Sequence, residues 1–127
     1  MTSQTRVLIL DDEPVIANTL CVLLERQGFA ARAALRYKEA IAVAHDFQPD
    51  VLIAGFNNCS EKNGCETAEE ILSFVPHCRI LIFSGQAKAA DALNEFRERG
   101  FEFDVLAKPC RPDELLTKLP PPNKDSE

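Results

Sequence analysis

RVLILDDEP, residues 6–14, is the stretch on which the fold turns. Val7 to Leu10 form a short apolar run that leads into two adjacent carboxylates, Asp11 and Asp12, and then into Glu13 and Pro14. A run of that length between polar residues suits a strand covered on both faces, as in a parallel sheet. Asp12 or Glu13 is suited to cap a helix beginning at Pro14, where a missing N–H costs nothing. In open α/β sheets the functional crevice lies beyond the carboxyl ends of the strands, so Asp11 and Asp12 are expected in it.

The same strand-then-helix grammar repeats along the chain. A helix over Pro14–Gln27 places Ile16, Leu20, Leu23 and Leu24 on one stripe for packing, and Gly28 stops it. Phe29–Leu35 reads as an Ala-rich strand, and Tyr37–Phe47 as a helix with Ala40, Ile41 and Ala44 inward. Pro49-Asp50 punctuates the chain before the apolar strand Val51–Ala54, which ends on Gly55. After a polar loop over 56–63, a helix is expected from Gly64 to Phe74, then a strand over Arg79–Phe83 that delivers Ser84. Lys88–Arg99 is an amphipathic helix stopped by Gly100, and the strand Phe103–Ala107 delivers Lys108. Pro112–Leu119 is a last helix ended by Pro120-Pro121-Pro122. Five strand–helix pairs in alternation predict an α/β fold, a doubly wound, five-stranded parallel sheet of strand order 2-1-3-4-5. Residues 1–119 are expected to form one domain, and the polar tail 120–127 to be disordered.

A length of 127 residues, 46% hydrophobic and 27% charged, fits a single globular domain. The net charge of -6 and the absence of a basic cluster argue against a nucleic-acid surface, which must displace counterions. The run at residues 7–10 is too short for a signal-peptide core or a membrane span, so a cytoplasmic protein with no membrane partner is expected. Five cysteines, Cys21, Cys59, Cys65, Cys78 and Cys110, at irregular spacing support neither a disulfide framework nor a zinc site. Cys21 reads as a small packing residue, and Cys59 and Cys65 as free thiols close in sequence.

Under the expected topology, strand ends bring together Asp11, Asp12, Gly55, Ser84 and Lys108. Two carboxylates, a hydroxyl and an ammonium suit a hard cation and a phosphoryl-type oxyanion. At this point VLILDDEP (7–14), PDVLIAG (49–55), LIFSG (81–85) and LAKPCRPDELL (106–116) resemble the receiver domains of two-component response regulators, over about residues 6–119. The resemblance implies a (βα)5 flavodoxin-like fold. It further implies Asp11 and Asp12 as an acidic pocket that helps hold magnesium, Asn57 as a metal ligand through its backbone carbonyl, and Ser84 and Lys108 as the phosphate-side groups. The family takes a phosphoryl group from a histidine kinase on an aspartate that ends the third strand.

At that position this chain has Gly55, which can neither form an acyl phosphate nor ligate a metal through a side chain. Asp50 starts the same strand and is about 17 Å away, at ~3.3 Å per residue. Glu61 is the nearby loop acid with the reach to turn back towards the crevice. Val105 stands where the family commonly has an aromatic. One unit charge at 4 Å is worth about 4 kcal/mol at an effective dielectric near 20, so magnesium is expected to bind weakly or not at all, with Lys108 paired to Asp11 or Asp12. No other cofactor is expected.

These residues predict a stand-alone, atypical receiver that is not an enzyme, works by contact with a histidine kinase or another signalling protein, and is not phosphorylated at the usual site. The alternative is a phosphorelay receiver phosphorylated elsewhere, or a decoy that docks a kinase. The face formed by the fourth helix, fifth strand and shortened fifth helix is the expected homodimer surface. Phe101 and Phe103 read either as contacts on that face or as core.

Overall fold

The computed structural model describes residues 4–55, 64–84, 90–107 and 111–123. Along the chain run β1 (Arg6–Leu10), α1 (Pro14–Arg26), β2 (Ala30–Ala34), α2 (Tyr37–Phe47), β3 (Val51–Gly55), α3 (Gly64–Phe74), β4 (Arg79–Ser84), α4 (Ala90–Glu98), β5 (Asp104–Ala107) and α5 (Pro112–Thr117). All strand pairings are parallel and the sheet order is β2-β1-β3-β4-β5, as the alternation predicts. The largest departure in length is α5, which stops two residues before the expected Leu119.

Because side chains alternate along a strand, the sheet splits the core in two. Leu8, Leu10, Leu52, Ala54, Ile80 and Ile82 point to the side packed by α2, α3 and α4. Val7, Ile9, Val51, Ile53, Leu81 and Phe83 point to the side packed by α1 and α5. Both faces are covered, which is why the strands read as continuous apolar runs rather than alternating ones. The small side chains of Ala40 and Ala44 on α2 are fully buried against the first of these cores.

Glycines end two helices. Gly28 and Gly100 take φ of +98° and +94°, a left-handed backbone that an L side chain rarely adopts. α2 ends instead at Gln48 (φ 50°), whose Nε2 donates to the carbonyl of His45 at 3.1 Å.

The expectation of a disordered segment from Pro120 onward does not fit residues 120–123. The Thr5 N–H donates to the Pro122 carbonyl at 2.7 Å, and the Thr5 hydroxyl donates to the Pro121 carbonyl at 2.5 Å. Gln4 and Asn123 form an antiparallel bridge, and Gly28 lies beside Pro122. Prolines lack an N–H but keep their carbonyls, and Thr5, just before β1 and 2% exposed, needs acceptors for two donors. Residues 124–127 lie outside the described residues.

Candidate functional site

The carboxyl edge of the sheet is set by register. Leu10 pairs with Ala54, so Asp11, one step further, is level with Gly55 at the end of β3. Gly55 pairs with Phe83, which puts Ser84 one step beyond it, and Ser84 pairs with Ala107, the residue before Lys108. The backbone of the strand ends therefore brings Asp11, Gly55 and Ser84 to one edge, as the topology predicts. Lys108, Asn57, Glu61, Cys59 and Cys110 lie outside the described residues.

Asp11 is 2% exposed. Its N–H extends the ladder to the Ala34 carbonyl at 3.1 Å, and its Oδ1 accepts the Glu13 N–H at 2.9 Å. An aspartate bonded two residues ahead makes a side-chain turn, and here it steers the chain from β1 into α1. This corrects the capping expectation. Glu13 occupies the N-cap position with extended φ and ψ but makes no side-chain capping bond, while Pro14 opens the helix as expected. Asp12 is half-buried.

Asp50 is held at the opposite edge, as its place before β3 requires. Its Oδ2 accepts the Arg6 N–H at 2.9 Å, its carbonyl accepts the Arg79 N–H at 2.9 Å, and the His77 Nε2 is 3.6 Å from its Oδ1. His45 stacks on Phe74 with centroids 3.8 Å apart, joining α2 to α3. Both histidines are thus committed to packing or to the amino edge.

Among the described residues no three His, Cys, Asp or Glu side chains are grouped to hold a metal ion. A divalent hard cation takes six or more oxygen ligands. An acid pair with one oxygen already bonded to Glu13, facing a glycine, is a poor fit for a tightly held ion.

The cysteines behave as packing residues. Burial pushes the Cys65 thiol up to about 11, helped by Glu66, and the Cys78 thiol up to about 12, helped by Asp50. Cys21 is half-buried, with its sulfur 3.4 Å from the Ala31 carbonyl. Phe101 and Phe103 resolve towards the core reading: both are half-buried and pack on Phe96 at centroid distances of 4.5 and 5.1 Å. Val105 on the edge strand β5 is 38% exposed.

One feature lay outside the stripe read from the sequence. Val15 and Val22 of α1 face solvent at 77% and 48% exposure, while Ala17 and Leu24 carry the buried side. Their seven-residue separation was the available signal, since it sets both on one helical face away from Leu20 and Leu24.

Comparison with known proteins follows the same geometry. The Vibrio cholerae chemotaxis protein CheY4 superposes with a TM-score of 0.81 at 24% identity, covering 91% of this chain and 96% of that one, a likeness of fold. A response regulator from Burkholderia pseudomallei, solved with a phosphorylated aspartic acid and a calcium ion, has a TM-score of 0.78 at 28% identity and covers 91% of this chain and 66% of that one. The Escherichia coli regulatory protein AtoC is 28% identical over 91% of this chain, and the Bacillus subtilis transcriptional regulatory protein ComA is 29% identical over 63% of it. The chain spans 24% of the length of AtoC and 39% of that of ComA. No helix among the described residues is long and apolar enough to cross a membrane. The family model described as the response regulator receiver domain matches residues 7–120. With that match over nearly its whole length, and with the strand order and acid pair in place, this chain belongs to the response regulator receiver domains.

Proposed function

We propose that this receiver unit signals by contact with a partner protein and does not carry a phosphoryl group at the usual position, because Gly55 stands there. The observation that carries the reading is the level placement of Gly55 with Asp11 at the carboxyl edge of β1 and β3. The family's acceptor must sit at that point to reach both the acid pair and the phosphate-side groups, and a glycine offers no oxygen to attack a phosphoryl donor. Asp50, the one other aspartate of the PDVLIAG segment, is tied to Arg6 and Arg79 at the far edge.

In this reading Asp11 shapes the turn into α1, and Asp11 and Asp12 with Lys108 and Ser84 make a charged crevice that takes part in no phosphoryl transfer. The partner is a histidine kinase or another signalling protein of a two-component system, and the unit is not a catalyst. Some relatives bear names as transcriptional regulators, and all those named above are longer than the stretch they share with this chain. The net charge of -6 supports a receiver unit that does not itself supply a nucleic-acid surface. A homodimer through α4, β5 and α5 is part of the reading, with exposed Val105 as its most accessible apolar side chain.

The experiment is incubation with acetyl phosphate followed by intact-protein mass spectrometry. The wild-type chain is expected to gain nothing, and Gly55→Asp to gain one phosphoryl group, since Gly55 ends a strand in extended backbone that any residue adopts. A phosphoryl group retained by the wild-type chain overturns the reading and moves the chain to the alternative, a relay protein phosphorylated at another residue.

A further inference from the structure

The geometry points to a second docking surface, the outer face of α1, and to a second copy of this chain as its occupant, packed helix against helix in antiparallel fashion. Val15, Thr19, Val22 and Arg26 recur at intervals of four, three and four residues, the spacing of a two-helix seam. Asn18, Thr19, Val22, Leu23 and Arg26 line a shallow, mainly apolar groove along this face. Two of the most exposed large apolar side chains among the described residues, Val15 and Val22, stand on it, directly opposite the buried Ala17 and Leu24. The shortened α5, only Pro112–Thr117, leaves that side of the molecule with little helical cover.

The seam is self-complementary. A two-fold axis passing between Asn18 and Thr19 sets Val15 of one copy against Val22 of the other, twice. The same axis carries Arg26, in the last turn, to the start of the other copy's helix, where Glu13 stands exposed. Neither Arg26 nor Glu13 forms an ion pair with another described residue. Antiparallel packing also brings opposite ends of the two helix dipoles together. An isologous contact of this kind closes on itself at two copies.

The contact is small. Thirteen residues make a helix about 20 Å long and about 10 Å across, which buries roughly 400 Å² per copy, below the ~800 Å² of a standard stable interface. Self-association is therefore weak, with a dissociation constant on the order of 100 μM. This surface is separate from the α4–β5–α5 face and stands or falls independently of the reading of Gly55.

Sedimentation velocity from about 10 μM to about 1 mM brackets such an affinity. The weight-average mass of the wild type is expected to rise from monomer towards dimer over that range. Val22→Glu is expected to weaken association at least about tenfold, the cost of a carboxylate on each side of the seam, while Val105→Glu leaves it unchanged. Arg26→Glu and Glu13→Arg each set like charges against each other and stay monomeric alone, but their equimolar mixture restores both opposite-charge contacts and the dimer. The proposal is overturned by a wild type that stays monomeric to the top of the range, by loss of association in Val105→Glu but not in Val22→Glu, or by a mixture no more associated than its components. A wild type that is monomeric throughout would leave this face to a helix of another protein.

Discussion

Ending the chain at Leu119 removes the acceptors that Thr5 uses, and the effect on stability follows from the geometry. Thr5 is 2% exposed and donates twice, from its N–H to the Pro122 carbonyl at 2.7 Å and from its hydroxyl to the Pro121 carbonyl at 2.5 Å. Each such bond contributes about 1 kcal/mol net, and a donor left partly shielded from water adds up to about 1 kcal/mol, so the truncation is expected to cost about 2–3 kcal/mol. At a urea slope of about 2 kcal/mol/M the midpoint falls by about 1–1.5 M. Thr5→Val keeps the N–H bond and loses only the hydroxyl, and is expected to cost about 1 kcal/mol, or about 0.5 M. The assay is equilibrium urea unfolding of the three proteins, followed by far-ultraviolet circular dichroism. If the truncated chain unfolds within about 0.2 M of the full chain, residues 120–123 do not stabilise the fold and the assignment of these bonds is wrong.

Other outcomes follow from single contacts. Tyr37→Phe removes the hydroxyl that donates to the Glu70 Oε1 at 2.5 Å between α2 and α3, and is expected to lower the unfolding free energy by about 1 kcal/mol in urea titration; no change would remove that link from the packing of α2 on α3. Ile53→Ala empties a fully buried site in the central strand and is expected to cost about 3 kcal/mol, and a loss below about 1 kcal/mol would contradict the packing described. Unfolded thiols ionise near 9.0, whereas Cys65 and Cys78 in the folded chain do so only near about 11 and about 12. The folded state then holds more protons, so stability is intact below about pH 9 and falls as pH rises through the folded values; the urea midpoint of a Cys65→Ala, Cys78→Ala double variant is expected to fall less steeply over that window, and an equal slope would refute it. Isothermal titration with magnesium is expected to give a dissociation constant no tighter than roughly 1 mM for the wild type and a tighter one for Gly55→Asp, with submillimolar binding by the wild type as the refuting result.

The fold was legible because the signals were local and redundant. Each buried strand carried its own apolar run, and Pro14, Gly28, Gly100 and Pro112 marked helix ends that the structure keeps. The carboxyl-edge placement of Asp11, Gly55 and Ser84 was legible too, because parallel topology fixes which strand ends are neighbours. Two kinds of feature were not. The capping of α1 depends on which oxygen turns towards which N–H, and Asp11 took the role that Asp12 or Glu13 was expected to fill. The docking of Pro121 and Pro122 on Thr5 joins residues more than a hundred positions apart, and no composition rule registers an acceptor wanted at the other end of the chain.

The two edges of the sheet show why residue type alone does not assign function here. Asp11 and Asp50 are both aspartates beside apolar strands, and both accept a backbone N–H at 2.9 Å. Asp50 precedes its strand, so its carboxylate is spent on Arg6, with His77 3.6 Å away, at the edge where β1, β3 and β4 begin. Asp11 follows its strand, so it stands where the crevice of a doubly wound sheet opens. Five residues separate Asp50 from Gly55, and that interval is the full length of β3. No side-chain rotation spans a strand. The chemistry at the carboxyl edge is therefore limited to what the ends of β1, β3, β4 and β5 themselves supply, and at β3 the supply is a backbone without a carboxylate.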